Sequence, residues 1–331
     1  MKNKSLFFIL GSNSFTGSNF VKFLIRKKHK VICTSRSKEP KQQFLAYEKK
    51  NAYSTFYQLD INKNLKKIIN LIKKKKPNYI INFSSQSMVG QSWYHPIDWY
   101  NTNVISSVKL IEGIKNIKFV KKFVHISTPE VYGSTKYNLK ENFNFNPTTP
   151  YAISRACFDN HLISMFKYFD FPVVFTRASN VYGPCQGLYR IIPASIISAT
   201  SNNKLKLEGG GNSKRNFIYV EDVVNATYKI ALKGKTGETY HISSNQIISI
   251  KNLVKKVFKI SKSEKYKTNV NLTLERVGKD KVYFLNSNKL RKELGWKPKV
   301  NLDEGIKKTL AWFNQNKKEI IKANKYYIHK K

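Results

Sequence analysis

Leu6-Phe7-Phe8-Ile9-Leu10-Gly11-Ser12-Asn13-Ser14-Phe15-Thr16-Gly17-Ser18-Asn19-Phe20 decides the fold. Leu6 to Leu10 is a short apolar run rich in β-formers, which suits a strand covered on both faces. Lysines precede it, but the run is too short for the core of a signal peptide and ends at once in a glycine. From Gly11 the chain turns out of the strand and into a helix. Such a turn presents backbone N–H groups and the positive end of the helix dipole to a pyrophosphate, and Gly17 lets the helix pack closely on the strand. Ser14 stands where the usual pattern has its middle glycine, so the turn taken alone also fits a plain helix cap. Gly11, Asn13, Ser14, Phe15, Thr16 and Gly17 are the residues that would line a dinucleotide.

A second strand follows at the distance a dinucleotide fold requires and ends in Thr34, Ser35, Arg36, Ser37, Lys38 with no carboxylate. An NAD-specific site carries an acidic residue here for the adenosine ribose, whereas hydroxyls and a guanidinium suit a 2′-phosphate. Ser35 and Arg36 therefore favour NADP over NAD, with solvated loop residues as the plainer alternative. Asp60, followed by Ile61 after the third strand, would accept from the adenine amino group or cap a helix.

The same alternation continues through the first half of the chain. Strands are expected near Leu6–Leu10, Lys30–Thr34, Thr55–Leu59, Tyr79–Phe83, Lys122–Ser127 and Val173–Ala178. The clearest helices are expected at Gly17–Lys28, Asn64–Lys75, Asn101–Lys115 and Tyr151–Tyr168. Strands alternating with helices argue for βαβ units: an α/β fold with a Rossmann-type, doubly wound parallel sheet and a smaller mixed α/β substrate-binding lobe. The dinucleotide-binding domain is placed at 1–180 and the lobe mainly at 181–331, with 217–245 returning to the main sheet. Short strands near Phe217–Tyr219 and Glu238–Ile242 and helices near Asp222–Leu232 and Ile250–Ile260 belong to this second half.

Sixty Lys and Arg against 20 Asp and Glu give the 331-residue chain a formal charge of +40. The lysines are spread along the whole sequence rather than gathered on one element, so a dedicated nucleic-acid partner is not expected; a polyanionic small molecule would be drawn by the same field. Three cysteines, Cys33, Cys157 and Cys185, with no CxxC spacing, argue against a disulfide scaffold and a zinc site, and no metal is expected. No stretch is apolar for long enough to cross a membrane, and a cytoplasmic protein is expected.

Three further stretches carry chemistry: Asn82 to Ser92 after the fourth strand, Ser127-Thr128-Pro129-Glu130-Val131-Tyr132-Gly133 after the fifth, and Tyr151-Ala152-Ile153-Ser154-Arg155 in the next helix. Together they resemble the extended short-chain dehydrogenase family of NAD(P)-dependent nucleotide-sugar epimerases and dehydratases. The likeness is strongest to dTDP-glucose and GDP-mannose 4,6-dehydratases, and Asn180–Pro184, Arg215–Asp222, Gly237–Ile242 and Leu294–Pro298 extend it over nearly the entire chain. It implies a nucleotide-sugar substrate and a homodimer formed through the helices near Asn101–Lys115 and Tyr151–Tyr168. It also implies that Thr128 is a hydroxyl partner to the sugar oxygen and that Gln86, Ser87, Asn180, Arg190, Arg215 and Arg276 bind substrate.

Tyr151 and Arg155 are four apart and share a helical face, where a cation near the phenol would favour tyrosinate and hold the nicotinamide ribose. Tyr151 would take the proton of the sugar 4-hydroxyl as hydride leaves C4. Oxidation at C4 makes the C5 proton acidic, and Glu130 is the carboxylate placed to remove it and start loss of the 6-hydroxyl. Two positions depart from the family. Arg155 stands where the family has lysine, and its planar fork is not a steric copy of an ammonium. Pro129 replaces the aspartate of the dTDP-glucose enzymes and offers no proton to the departing hydroxyl. The expected activity is that of a 4,6-dehydratase, with a 4-epimerase or a UDP-glucuronate decarboxylase as alternatives and a non-catalytic basic binding protein as a remoter one.

Overall fold

The computed structural model describes residues 4–134, 138–275, 282 and 284–330. In chain order its first half contains β1 (Leu6–Leu10), α1 (Phe15–Arg26), β2 (Lys30–Ser35), β3 (Ser54–Gln58), α2 (Leu65–Lys75), β4 (Tyr79–Asn82), α3 (Pro96–Tyr100), α4 (Ser106–Ile114), β5 (Lys122–Ile126), β6 (Asn138–Leu139), α5 (Pro150–Phe169) and β7 (Val173–Ala178). Then follow β8 (Asn180–Tyr182), α6 (Ile191–Thr200), β9 (Leu205–Glu208), β10 (Lys214–Tyr219), α7 (Val220–Lys233), β11 (Thr239–Ile242), β12 (Ile247–Ser249), α8 (Ile250–Ile260), α9 (Tyr266–Asn269), β13 (Val270–Thr273), β14 (Phe284–Leu285), α10 (Asn288–Leu294), α11 (Leu302–Gln315) and α12 (Lys317–Lys322).

Seven of these strands form one sheet in the order β11-β7-β5-β4-β1-β2-β3, every neighbouring pair parallel. The alternation within β1 explains the layers. Phe7 and Ile9 belong to the core built with Phe20 and Leu24 of α1 and Val224 and Ile230 of α7. Phe8 and Leu10 point the other way, among Ile68 and Ile72 of α2, Leu110 and Ile111 of α4 and Phe158 and Leu162 of α5. Side chains of period two, apolar in both phases, thus require helices on both faces of the sheet. The strand order reverses between β1 and β4, which is where an open α/β sheet leaves a crevice at the carboxyl ends of its strands.

The second half builds the sheet β12-β10-β8 on an apolar core containing Tyr182, Ile196, Leu253 and Phe313, the pair β13-β9 on a separate cluster with Leu205, Leu207 and Phe258, and β14, which pairs with β6 of the first half. Among the described residues β11 is the strand of this half that joins the main sheet, beside β7; β10 pairs instead with β8 and β12. The helix expected across Asn101–Lys115 is interrupted: residues 101–105 form a π-helical turn before α4 begins. Asn103 lies within this turn, and its side-chain amide bonds outside the helix. Among the described residues no helix is long and apolar enough to cross a membrane, and all three cysteines are free thiols.

Candidate active site

The glycine turn closes on the switch point. Gly11 N and Ser12 N donate to the Thr34 carbonyl of β2 at 2.8 and 3.0 Å, pinning the turn between β1 and β2. Gly11 has φ +77°, and a Cβ there would lie 2.8 Å from the Phe83 carbonyl carbon; a Cβ on Gly17 would lie 2.5 Å from the Gly11 carbonyl oxygen. Both glycines are therefore required by close backbone approach. Ser14 does cap α1, its hydroxyl accepting from Gly17 N at 3.1 Å, so the two meanings the sequence allows for the turn coexist. Asn13 donates its amide to the Ser37 and Lys38 carbonyls and leaves its Oδ1 buried without a partner. A cradle shaped by glycines at an N-terminal helix end fits a dinucleotide pyrophosphate, and the unpartnered Asn13 Oδ1, an acceptor, fits a hydroxyl rather than a phosphate. Phe15 packs partly against the core, Thr16 is half-buried, and Ile61 is buried in the core on the far face of the sheet. Asp60 Oδ1 accepts from Asn62 N at 2.8 Å, so one of its oxygens closes a turn.

The catalytic stretches meet beside this cradle. Thr128 follows β5 in extended conformation and caps the short turn Pro129–Tyr132, accepting from Glu130 N. Its hydroxyl donates to the Glu130 carboxylate. Thr149 and Pro150 start α5, Thr149 accepting from Ala152 N, which brings Tyr151 into the first turn and against Thr128. The phenol is 8% exposed. Burial pushes its pKa up and the Glu130 carboxylate adds to the rise, while Arg155, the hydrogen bond with Thr128 and Arg190 oppose it. Arg155 thus pulls in the direction expected of a cation beside the phenol, but in this state burial and Glu130 outweigh it.

Arg155 is itself 2% exposed, and its Nη2 donates to the Ile126 carbonyl and lies 3.1 Å from His125 Nε2. That arm of the guanidinium is tied to β5 rather than presented to a ribose. Below it Asp159, again on the same helical face, accepts from Arg177 Nη2 at 2.8 Å and from Ser127 Oγ at 2.6 Å and lies 3.2 Å from His125 Nε2. Arg177 stacks over Tyr132 and Phe145, and the Tyr132 hydroxyl meets His241 Nε2 at 2.9 Å. A buried network therefore runs from α5 through β5 and β7 to β11 and fixes the strand end that carries Thr128.

The remaining expected residues are spread around the crevice. Gln86 is buried after β4, and Asn103 holds its backbone at both ends, accepting from Gln86 N at 2.8 Å and donating to its carbonyl at 3.0 Å. The same Asn103 amide donates to Ser154 of α5. Ser87 is exposed, Asn180 begins β8, and Arg190 is half-buried ahead of α6 with its guanidinium over Tyr189. Arg215 is buried on β10 and donates to the Lys214 carbonyl; Arg276 lies outside the described residues. Asn103, His125, Asp159 and Arg177 were not anticipated. Continuing the four-residue step from Tyr151 through Arg155 reaches Asp159, whereas nothing in the sequence marks Asn103 as the side chain that holds Gln86.

The family model described as GDP-mannose 4,6 dehydratase matches residues 8–309. The chain belongs to the GDP-mannose 4,6 dehydratase family. Human dTDP-D-glucose 4,6-dehydratase is similar, 36% identical over 251 residues that cover 74% of this chain and 71% of the relative. The solved dTDP-glucose 4,6-dehydratase of Bacillus anthracis in complex with NAD superimposes with a TM-score of 0.84 at 27% identity, covering 95% of this chain and 98% of that one. A UDP-glucose 4-epimerase of Thermotoga maritima with UDP-glucose gives a TM-score of 0.85 at 25% identity, covering 94% and 99%. Membership of the dehydratase family makes the chain a lyase that works with a nicotinamide dinucleotide, on the Rossmann-type sheet its sequence implies.

Proposed function

We infer that this nucleotide-sugar 4,6-dehydratase converts an NDP-hexose into its 4-keto-6-deoxy product with Tyr151, Thr128 and Glu130 as its working groups. The observation that carries this assignment is the meeting of phenol, hydroxyl and carboxylate at the end of β5, two strands from β1 and its glycine cradle. A nicotinamide dinucleotide held by the cradle of Gly11 and Asn13 to Gly17 would supply a reversible hydride acceptor for the sugar. Tyr151 takes the 4-hydroxyl proton, with Thr128 bonded to the same oxygen. Glu130 removes the C5 proton once C4 is oxidised. Pro129 has no proton to give, so Glu130, now protonated, passes the C5 proton to the departing 6-hydroxyl, which leaves as water; hydride addition at C6 is then matched by a proton that C5 takes from solvent through Glu130, and the proton held by Tyr151 returns to solvent. Gly11, Asn13 to Gly17, Ser35, Arg36, Asp60 and Ile61 are assigned to the cofactor, and Gln86, Ser87, Asn180, Arg190, Arg215 and Arg276 to the sugar nucleotide.

Ser35 and Arg36 suit a 2′-phosphate, but the Bacillus anthracis relative was solved with NAD, and we propose NAD as the working cofactor. Residues 1–180 with 217–245 are proposed as the dinucleotide-binding unit and the rest of 181–331 as the substrate lobe. A homodimer is supported by Ile97, Ile105 and Ile153, apolar side chains left exposed on α3, the π-turn and α5. Incubation with dTDP-glucose and GDP-mannose should yield a product lighter by one water with no net cofactor consumed. An isomer of unchanged mass inverted at C4 would instead assign the 4-epimerase activity that Pro129 leaves open.

A further inference from the structure

Beyond α12 the chain turns back over the carboxyl edge of the main sheet. The Lys330 carbonyl oxygen accepts from Arg36 Nη1 at 3.0 Å and from Gln86 Nε2 at 2.6 Å. Arg36 follows β2 and Gln86 follows β4, and these strands flank β1 on its two sides. One oxygen bonded to both side chains therefore lies across the end of β1, over the glycine cradle. Lys330 Nζ also donates to Ser37 Oγ at 3.2 Å. His329 stacks on His95 at 4.4 Å and on Trp99 at 5.2 Å, and its Nε2 meets Asp98 Oδ2 at 2.7 Å. Tyr327 packs edge-on against Tyr189.

His95, Asp98 and His329 place their donor atoms within 4.8 Å of one another. The two imidazole planes are, however, parallel to within 3°, so their in-plane lone pairs do not converge on one ion. These three residues form a clasp that fastens the tail to α3.

We propose that residues 324–330 are an intramolecular strap that occupies the dinucleotide groove and leaves it when the cofactor enters. This rests on the assignment of the groove to the dinucleotide. A peptide carbonyl held by a guanidinium and an amide uses the donors that a ribose or phosphate oxygen would use, so the strap competes with the cofactor for Arg36 and, through Gln86, also covers a group assigned to the sugar nucleotide. The strap lies beyond residues 8–309, the span matched by the family model, and none of its residues belongs to a core cluster of the described residues. It is held by polar and ring contacts alone and can detach without unfolding the domain.

NAD+ affinity, measured by titration calorimetry, tests this on three proteins: the full chain, a chain ending at Ala323, and full-length Tyr327→Ala/His329→Ala. A strap seated nine-tenths of the time weakens binding about tenfold, so truncation should tighten the NAD+ dissociation constant by about that factor. The double variant should move it the same way by less, and a synthetic peptide of residues 324–331 should weaken NAD+ binding to the truncated chain. Equal or weaker NAD+ binding by a truncated protein with an unchanged melting temperature overturns the strap. Absence of NAD+ binding by all three proteins overturns the groove assignment instead.

Discussion

Tyr151 is buried with a raised pKa beside Thr128 and Glu130, so removing its hydroxyl deletes the proposed proton acceptor while leaving the ring's packing in place. Tyr151→Phe should lower kcat by about 10²–10⁴-fold with little change in melting temperature, read from formation of the 4-keto-6-deoxy product. Glu130→Gln should stop dehydration and also stop exchange of the C5 hydrogen with deuterated solvent. Retention of that exchange would assign the C5 base to another group. Tyr151, Thr128 and Glu130 were legible because helical spacing and position at a strand end fix where such side chains point. The course of Arg155 was not, because a long side chain takes the rotamer its tertiary partners offer, and those partners, His125 and the Ile126 carbonyl, come from another element.

At the scale of elements, β5, β7, β11 and α5 are joined by buried charge. Asp159 and Arg177 have fully buried side chains, and Arg155 lies beside them. Asp159→Asn would leave two buried guanidinium groups without their carboxylate and should cost about 3–5 kcal/mol, measured by urea unfolding. Burial, reinforced by neighbouring arginines, pushes the His125 pKa down to about 4 and that of His241 to about 3. In the unfolded chain both titrate near about 6.5, so below that pH the unfolded state binds protons that the folded state refuses. Stability should fall as pH drops from about 6.5 toward 4, by up to about 1.4 kcal/mol per pH unit for each histidine. Asp159, whose pKa Arg177 and His125 hold low against burial, adds its own loss only at more acid pH. A melting temperature unchanged between pH 6.5 and 4.5 would contradict this. The strands that build the main sheet were legible to within a residue or two because their apolar runs are short and bounded by turns. The interruption at 101–105 was not, since a π-turn is a change in which backbone groups bond and is too short to leave a period of its own in the sequence.

For the whole molecule the dominant quantity is a charge of +40. Self-repulsion of that size is screened as the Debye length shrinks, so the melting temperature should rise between about 0.01 M and 0.15 M salt. The KM for an anionic sugar nucleotide should rise over the same range, and a salt-independent KM would show that the field plays no part in capture. Composition revealed this charge but not the path of the tail, because contacts between residue 330 and residues 36 and 86 leave no trace in local pattern.

Asp222 on α7 bears on how such a molecule can move. Its two carboxylate oxygens accept from Lys299 N and Val300 N, and its carbonyl accepts from Trp296 Nε1. The segment leading into α11 is thereby riveted to a helix of the large sheet and moves with it as one body. Residues 324–330 are instead fastened by Lys330 to Arg36 and Gln86 and by His329 to Asp98, contacts that an entering ligand can exchange for its own.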